Sequence, residues 1–186
     1  MSDNPFKLLS TEIKYQNPWI SVREDKVIRP GGKEGVFGIV TMLPGSTVLA
    51  INEKTQIILT KEFKYGANQY SSEVISGGLN KGELPMDAAV RELEEEVGYT
   101  AGTWIDAGVV NPFPTVVNSP NYMFIATDLT STAINPDEGE IISYEWVDLE
   151  LAYDMVIRSE IIHAASAMLI LRAYILNKDG KLFTQS

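Results

Sequence analysis

The sequence predicts a mixed α/β fold in which a sheet is packed between helices, and three observations predict it. Strand-like alternation broken by turn residues dominates the segments between Trp19 and Ile75. A single helical segment, Pro85 to Val97, interrupts the strands, which then resume. Two further helical segments close the chain, and strands followed by helices favour a layered, mixed arrangement.

Taken in order, Trp19–Arg29 alternates as a strand, and Gly31, Gly32 and Lys33 read as the turn after it. Val36–Met42, Thr47–Ile51 and Gln56–Phe63 read as strands, the last two joined by the hairpin loop Asn52–Thr55. Tyr70–Ile75 is the next strand, and the Gly-rich stretch Ser76–Gly82 is a loop. Pro85 suits a first helical turn, where its missing N–H is no loss, and Gly98 suits the position just past the last turn. Strands are expected again at Thr103–Val110, Tyr122–Thr127 and Ile141–Val147. Of the closing helices, one runs from about Leu149 to Ile157 after an Asp148 cap. The other follows a Ser159 cap, with Ile161, Ile162, Ala165, Met168, Leu169 and Ile175 as its apolar face.

A chain of 186 residues, 45% apolar, is long enough for one well-packed domain with a small N-terminal extension. It has no cysteine, which excludes a disulfide framework, a thiolate zinc site and a cysteine nucleophile. A reducing compartment is compatible with that, and a cytoplasmic location is expected. The start shows no basic segment leading into an apolar one, so no secretory signal is expected. The longest apolar stretch, Ala164–Leu176, contains Arg172 and is too short to span a bilayer, so no membrane association is expected. A net charge of −10 argues against a nucleic-acid partner, which calls for a basic face. If the substrate is instead a small anionic phosphate compound, divalent cations must reverse the local field.

The helix at Pro85–Val97 breaks local rules. Residues three and four apart share a face, so Glu92, Glu95 and Glu96 converge on one side, while Ala89, Val90, Leu93 and Val97 form the packing stripe. Like charges at this spacing cost roughly 0.2–0.5 kcal/mol per pair. Carboxylates near the negative end of the helix dipole cost about 0.3–1 kcal/mol more each when exposed. Violations of this kind point to function. Carboxylates on a rigid face suit hard cations such as Mg²⁺ or Mn²⁺, which can bridge a diphosphate and lower the pKa of a bound water. Arg91, four residues before Glu95, is placed to hold that carboxylate. Glu83 can reach back to Arg91 or to a metal-bound water, and the glycines at 77, 78 and 82 allow close backbone approach.

A bare run of glutamates is more often a solvated helix face, but the full spacing is specific. Gly77, Glu83, Arg91, Glu92, Leu93, Glu95, Glu96 and Gly98 match the Nudix box: Gly, five residues, Glu, seven residues, Arg-Glu-aliphatic-any-Glu-Glu-any-Gly. A chance match somewhere in such a chain is on the order of one in ten million. The chain therefore resembles a Nudix hydrolase, and beyond the box it is similar to the ADP-ribose pyrophosphatase group. The weaker similarity runs from Asn17 through Leu59–Gly78 to the last helix.

The resemblance implies a Nudix-type α/β/α sandwich over residues 43–186, with an N-terminal β extension, 1–42, as a dimerisation element. It implies Mg²⁺, with Mn²⁺ as an alternative, bound by Glu92, Glu95, Glu96 and the carbonyl oxygen of Ser76. Glu83 and Arg91 would hold the architecture of the site, and Glu140, in an acidic loop before Trp146, would be the catalytic base, with Glu138 as second choice and a box glutamate such as Glu95 as the alternative. Gly77, Glu73, Lys61, Lys64 and Pro114 fall at substrate-binding positions. The substrate implied is a nucleoside-diphosphate compound, ADP-ribose above all, in a homodimeric enzyme. A nucleotide-sugar pyrophosphatase or a ligand-sensing Nudix module is the alternative.

The departures carry weight as well. Tyr99 replaces an aliphatic residue, and the group's Glu-any-Pro-Ala-Gly reads Glu73, Val74, Ile75, Ser76, Gly77. Lys61 and Lys64 stand where arginines are usual, keeping charge without the bidentate fork. After Pro114 the usual Gly-containing acidic segment is missing, and Pro114 also reads simply as a loop proline. Trp19 reads as core packing, with nucleobase stacking as the alternative, and the sole histidine, His163, reads as a packed or surface residue.

Overall fold

In the computed structural model, which describes residues 4–132 and 143–183, the chain runs β1 (Lys7–Gln16), β2 (Ile20–Ile28), β3 (Glu34–Met42), β4 (Gly45–Ala50), β5 (Gln56–Lys64), β6 (Gln69–Glu73), β7 (Ile75–Gly78) and α1 (Pro85–Val97). It continues as β8 (Tyr99–Val110), β9 (Val117–Asn118), β10 (Asn121–Ser131), β11 (Ser143–Asp148), α2 (Leu149–Ile157) and α3 (Ala164–Lys178). Two compact units result: Met1–Pro44 with Asn111–Pro120, and Gly45–Val110 with Asn121–Ser186.

The first unit is a sheet in the order β1-β2-β3-β9. The β1–β2 turn is set by Asn17, whose Oδ1 accepts the N–H groups of Trp19 and Ile20 at 2.9 and 2.8 Å. Gly32, at φ 78°, makes the tight turn between β2 and β3. β9 pairs in parallel with β3 through Val40–Val117 and Thr41–Asn118. The sequence reading does not anticipate β1, and the reason is physical: all ten of its residues are exposed, so no buried face imposes an alternation. Trp19 is not a core residue. It follows the Asn17 turn and is 67% exposed.

The second unit holds two sheets, β7-β4-β10-β8 and β11-β5-β6. β4 and β10 are parallel, Met123 opposite Thr47, and their central stretches, Val48–Ala50 and Met123–Ala126, read as apolar runs because both faces are covered. Val48, Ala50, Phe124 and Ala126 pack with Ala89, Leu93 and Val97 of α1. Leu49, Met123 and Ile125 point the other way, into a cluster with Ala152 of α2 and Ala165, Leu169, Ile170 and Ala173 of α3. That is an α/β/α sandwich, in agreement with the predicted fold class.

Several details differ from the sequence reading. On α1 the inward stripe uses Ala88 rather than Val90, which is 38% exposed. The segment Tyr70–Ile75 is not one strand: the chain leaves the second sheet after Glu73 and enters the first at Ile75, with Val74 between them. Asp148 stands at the α2 N-cap position, but its side chain makes no cap bond and instead accepts Gln56 Nε2 at 3.2 Å. Ser159 does not cap α3. At φ 60° its N–H bonds Val156 O at 3.0 Å, closing α2, so the next helix starts five residues later. Ile161 and Ile162 therefore precede α3, and its buried face is Ala165, Ser166, Leu169, Ile170 and Ala173, leaving Met168 and Ile175 exposed.

Candidate active site

The site is built on α1 and the two segments before it. Pro85 opens the helix, and its carbonyl accepts the hydroxyl of Ser46, a fully buried residue of β4, at 3.1 Å. At the other end Gly98 takes the left-handed conformation (φ 68°, ψ 45°), its N–H bonding Glu94 O at 3.0 Å. The start of the carboxylate-bearing helix is thus tied to the core strand β4, and its end is closed by its own last turn. β7 lies beside β4, with Ser76 opposite Thr47 and Gly77 opposite Ser46.

Arg91 organises what lies between. Its Nε donates to Glu83 Oε1 at 2.8 Å and its Nη2 to Glu83 Oε2 at 3.1 Å, a two-point grip. Nη2 also donates to the Gly78 carbonyl at 3.1 Å. Nη1 donates to Glu92 Oε1 at 2.7 Å and to Glu95 Oε2 at 2.8 Å. All five guanidinium donors are used. Glu83 is fixed further by Asn80, whose N–H reaches its Oε2 at 2.7 Å. The hydrogen bond from Arg91, with Asn80 assisting, holds the Glu83 carboxyl below the usual range. The hydrogen bonds to Glu83 first, and to Glu95 and Glu92, outweigh burial and push the Arg91 pKa up.

Glu92 also meets the loop. A β-carbon on Gly77 would fall 1.9 Å from Glu92 Oε1, so the carboxylate occupies space that only glycine leaves open. Glu95 and Glu96 are half-buried on the same helix, and Ser76 is half-buried on β7. With three glutamates around one arginine, the cluster of Glu83, Glu92, Glu95 and Arg91 has a formal charge of −2, and Glu96 adds another negative charge. Among the described residues no three acidic or imidazole groups stand close enough together to hold an ion as they are, Arg91 lying between Glu92 and Glu95. In kind, however, the donors fit a hard divalent cation: all are oxygens, their charge is negative, and the Gly77 backbone leaves room beside Glu92. Glu138 and Glu140 lie outside the described residues.

The other sequence-predicted residues fall in two places. Lys61 and Lys64 are three apart on β5 and so point to opposite faces of the strand. Lys61 lies over the Tyr70 ring at 5.8 Å. Lys64 bonds Glu62 at 2.5 Å and stands 3.5 Å from Glu73. Burial works against the Lys64 charge, yet the Glu62 hydrogen bond and the Glu73 charge leave its pKa raised. Glu73 is buried, and its Oε2 is also 3.4 Å from His163 Nδ1. Ser71, on the same face of β6, is 3% exposed, and its hydroxyl has no hydrogen-bond partner among the described residues. Pro114 is exposed in the Asn111–Pro120 segment of the first unit, whereas α1 belongs to the second.

The sequence reading overlooked Ser46, Thr47 and Ser166. Thr47 Oγ1 bonds Asn121 Oδ1 at 2.7 Å, and the Ser166 hydroxyl accepts the Val74 N–H at 3.1 Å. The signal was available: polar residues at the head of an apolar strand, and one serine inside an apolar helix.

Comparison with known proteins gives a consistent picture. The family model described as NUDIX domain matches residues 42–165. A second, described as nucleoside diphosphate sugar hydrolase N-terminal domain, matches residues 6–40. The chain is 30% identical over 166 residues to a protein named ADP-ribose pyrophosphatase from Bacillus subtilis (strain 168), covering 88% of this chain and 90% of that one. It is 26% identical over 141 residues to one named ADP-sugar pyrophosphatase from Mus musculus, covering 70% and 62%. The crystal structure of an ADP compounds hydrolase matches with a TM-score of 0.80 at 22% identity, covering 97% of this chain and 99% of that one, a likeness of fold.

Proposed function

The chain belongs to the Nudix hydrolase family, and we propose that it hydrolyses the diphosphate linkage of a nucleoside-diphosphate compound, foremost ADP-ribose, to AMP and ribose 5-phosphate. The observation that carries this reading is the α1 face on which Arg91 holds Glu92 and Glu95 beside Gly77. Nudix hydrolases generally use divalent metals; here Glu92, Glu95, Glu96 and the Ser76 carbonyl would hold Mg²⁺, or Mn²⁺ in its place. Such ions neutralise charge on a diphosphate and acidify a bound water. Arg91 and Glu83 keep the carboxylates oriented, and Glu140 takes the proton of the attacking water. Lys61, Lys64, Glu73 and Pro114 stand at positions where the resemblance implies substrate contacts, although the buried Glu73 is already faced by Lys64 and His163.

A nucleotide-sugar substrate is the second reading. The description of the model matched at residues 6–40 and the name of the mouse relative favour it. We further propose a cytoplasmic homodimer formed through the N-terminal sheet, supported by the exposed apolar side chains Leu8, Leu9, Ile13 and Tyr15 of β1. Sedimentation of a monomer at micromolar concentration would rule the dimer out.

The deciding experiment is product formation from ADP-ribose, ADP-glucose, GDP-mannose, UDP-glucose and NADH, with Mg²⁺, with Mn²⁺ and with EDTA. Preferred, metal-dependent cleavage of ADP-ribose supports the first reading, and preference for a nucleotide sugar moves the specificity to the second. Silence across the panel from folded protein, with stabilisation by ADP-ribose, would mean a sensor. Glu95→Gln should nearly abolish turnover with the fold intact, and Glu140→Gln should lower kcat far more than it raises KM.

A further inference from the structure

The chain changes sheets at one residue. Glu73 ends β6 in one sheet, Ile75 begins β7 in the other, and Val74 between them is fully buried. A buried N–H at such a switch must find a partner outside both ladders. Val74 finds it 92 residues away, in the hydroxyl of Ser166 at 3.1 Å. Ser166 is itself 0% exposed, between Ala165 and Ala167 in the first turn of α3. Alanine would suit the helix better, so the hydroxyl has another purpose.

The oxygen that accepts the Val74 N–H is also 2.8 Å from His163 Nδ1. A neutral imidazole that carries its proton on Nδ1 donates to that oxygen and faces a carboxylate without repulsion; burial, opposed by the Glu73 charge and assisted by Lys64, keeps the His163 pKa low. His163 Nδ1 is in turn 3.4 Å from Glu73 Oε2, which Lys64 approaches from β5 at 3.5 Å. The switch residue Val74 is thus held from the start of α3, and the Glu73 carboxylate just before it faces His163 of the same turn. Two residues beyond Val74 comes Ser76, and then Gly77, whose α-carbon lies directly under the Glu92 carboxylate. A small displacement of β7 is passed straight to that carboxylate.

We propose that Ser166 and His163 are positioning residues for the active-site loop, fixing β7 through Val74 and Glu73 and so setting where Ser76 and Gly77 stand relative to Glu92. The proposal rests on the hydrolase reading only where it treats that loop as a metal site.

The test uses the full chain and the variants Ser166→Ala, Ser166→Thr and His163→Phe. Ala173→Gly, two turns further along α3, is a destabilised control. The first readout is amide hydrogen exchange at Val74 and along Ile75–Gly78, taken relative to Leu93 of α1. The second is the Mn²⁺ dissociation constant, measured from the free-ion signal without substrate. Ser166→Ala should speed exchange at Val74 and β7 about tenfold relative to Leu93 and weaken Mn²⁺ about tenfold, the scale of outer-shell losses. Ser166→Thr should restore both. His163→Phe, with Ser166 in place, should move both the same way by less, and it replaces Ser166→Ala if that variant does not fold. Ala173→Gly should lower the melting temperature and move neither ratio. If Ser166→Ala and His163→Phe behave like Ala173→Gly, the proposal is overturned. Absence of Mn²⁺ binding by the unmodified chain counts against the metal reading alone, and the exchange ratios still decide the positioning role.

Discussion

The Glu92 carboxylate rests on the α-carbon of Gly77, so near that a methyl group there would stand 1.9 Å from Oε1 and 2.0 Å from Cδ. Gly77→Ala must therefore turn Glu92 aside. The clashing atoms are the end of a flexible side chain, but turning it breaks the Arg91–Glu92 bond, so stability should fall by about 0.5–1.5 kcal/mol, the scale of one hydrogen bond, while kcat/KM falls by about a hundredfold. Urea unfolding and steady-state kinetics check the two halves, and full activity in a folded Gly77→Ala protein would remove Glu92 from the chemistry.

Arg91 uses every donor it has, which makes lysine a poor substitute. Arg91→Lys keeps the charge but cannot bond Glu83, Glu92, Glu95 and the Gly78 carbonyl at once. A loss of about 1–3 kcal/mol in stability is expected, the scale for hydrogen bonds to charged groups. Glu83→Gln, which removes one partner, should cost less. Equal stability of Arg91→Lys and the unmodified protein in chemical denaturation would contradict the network.

Two windows of pH dependence follow, and they are separable. The folded state holds Glu83 below its ordinary value of 4.5, so its contribution is full above that value and is lost as pH falls through the lower, folded one. Burial lowers His163 below 6.5, so the folded state prefers it neutral; its contribution is full above 6.5 and drains as pH falls below it. Melting curves from pH 8 down to about pH 3 should lose the upper slope in His163→Gln and the lower slope in Glu83→Gln. A single substitution that flattened both windows would refute the assignment.

Gly98 ends α1 at φ 68°, where a β-carbon meets the carbonyl. Gly98→Ala should cost about 1–2 kcal/mol, or roughly 2–8 °C of melting temperature in a chain of this size. Calorimetry decides it, and an unchanged transition would mean the helix end relaxes.

The parts of the fold legible in the sequence were those with local punctuation. α1 is marked by Pro85 and Gly98 and spans the predicted residues, and the spacing of Glu83, Arg91 and Glu95 anticipates the contacts they make. The contact of Arg91 with its neighbour Glu92 was not legible, because adjacent helical residues do not face one another and only two long side chains close the gap. The sheet switch at Val74 was hidden for a different reason. Strand propensity continues across it, and the residue that permits it, Ser166, lies 92 positions away. β1 left no trace because its exposed faces constrain nothing.

The Asn111–Pro120 excursion has a consequence for anyone trimming this protein. The N-terminal unit is completed by a segment the chain supplies much later, and β9 finds its ladder partner in β3. The polypeptide thus crosses between the units three times, after Pro44, after Val110 and after Pro120. A deletion placed at the first crossing does not excise a module: it strands Val117 and Asn118 with their hydrogen-bonding groups unmet. In evolutionary terms, the two units are expected to be inherited together, and a gene fusion that exchanged the first 44 residues would have to exchange residues 111–120 with them.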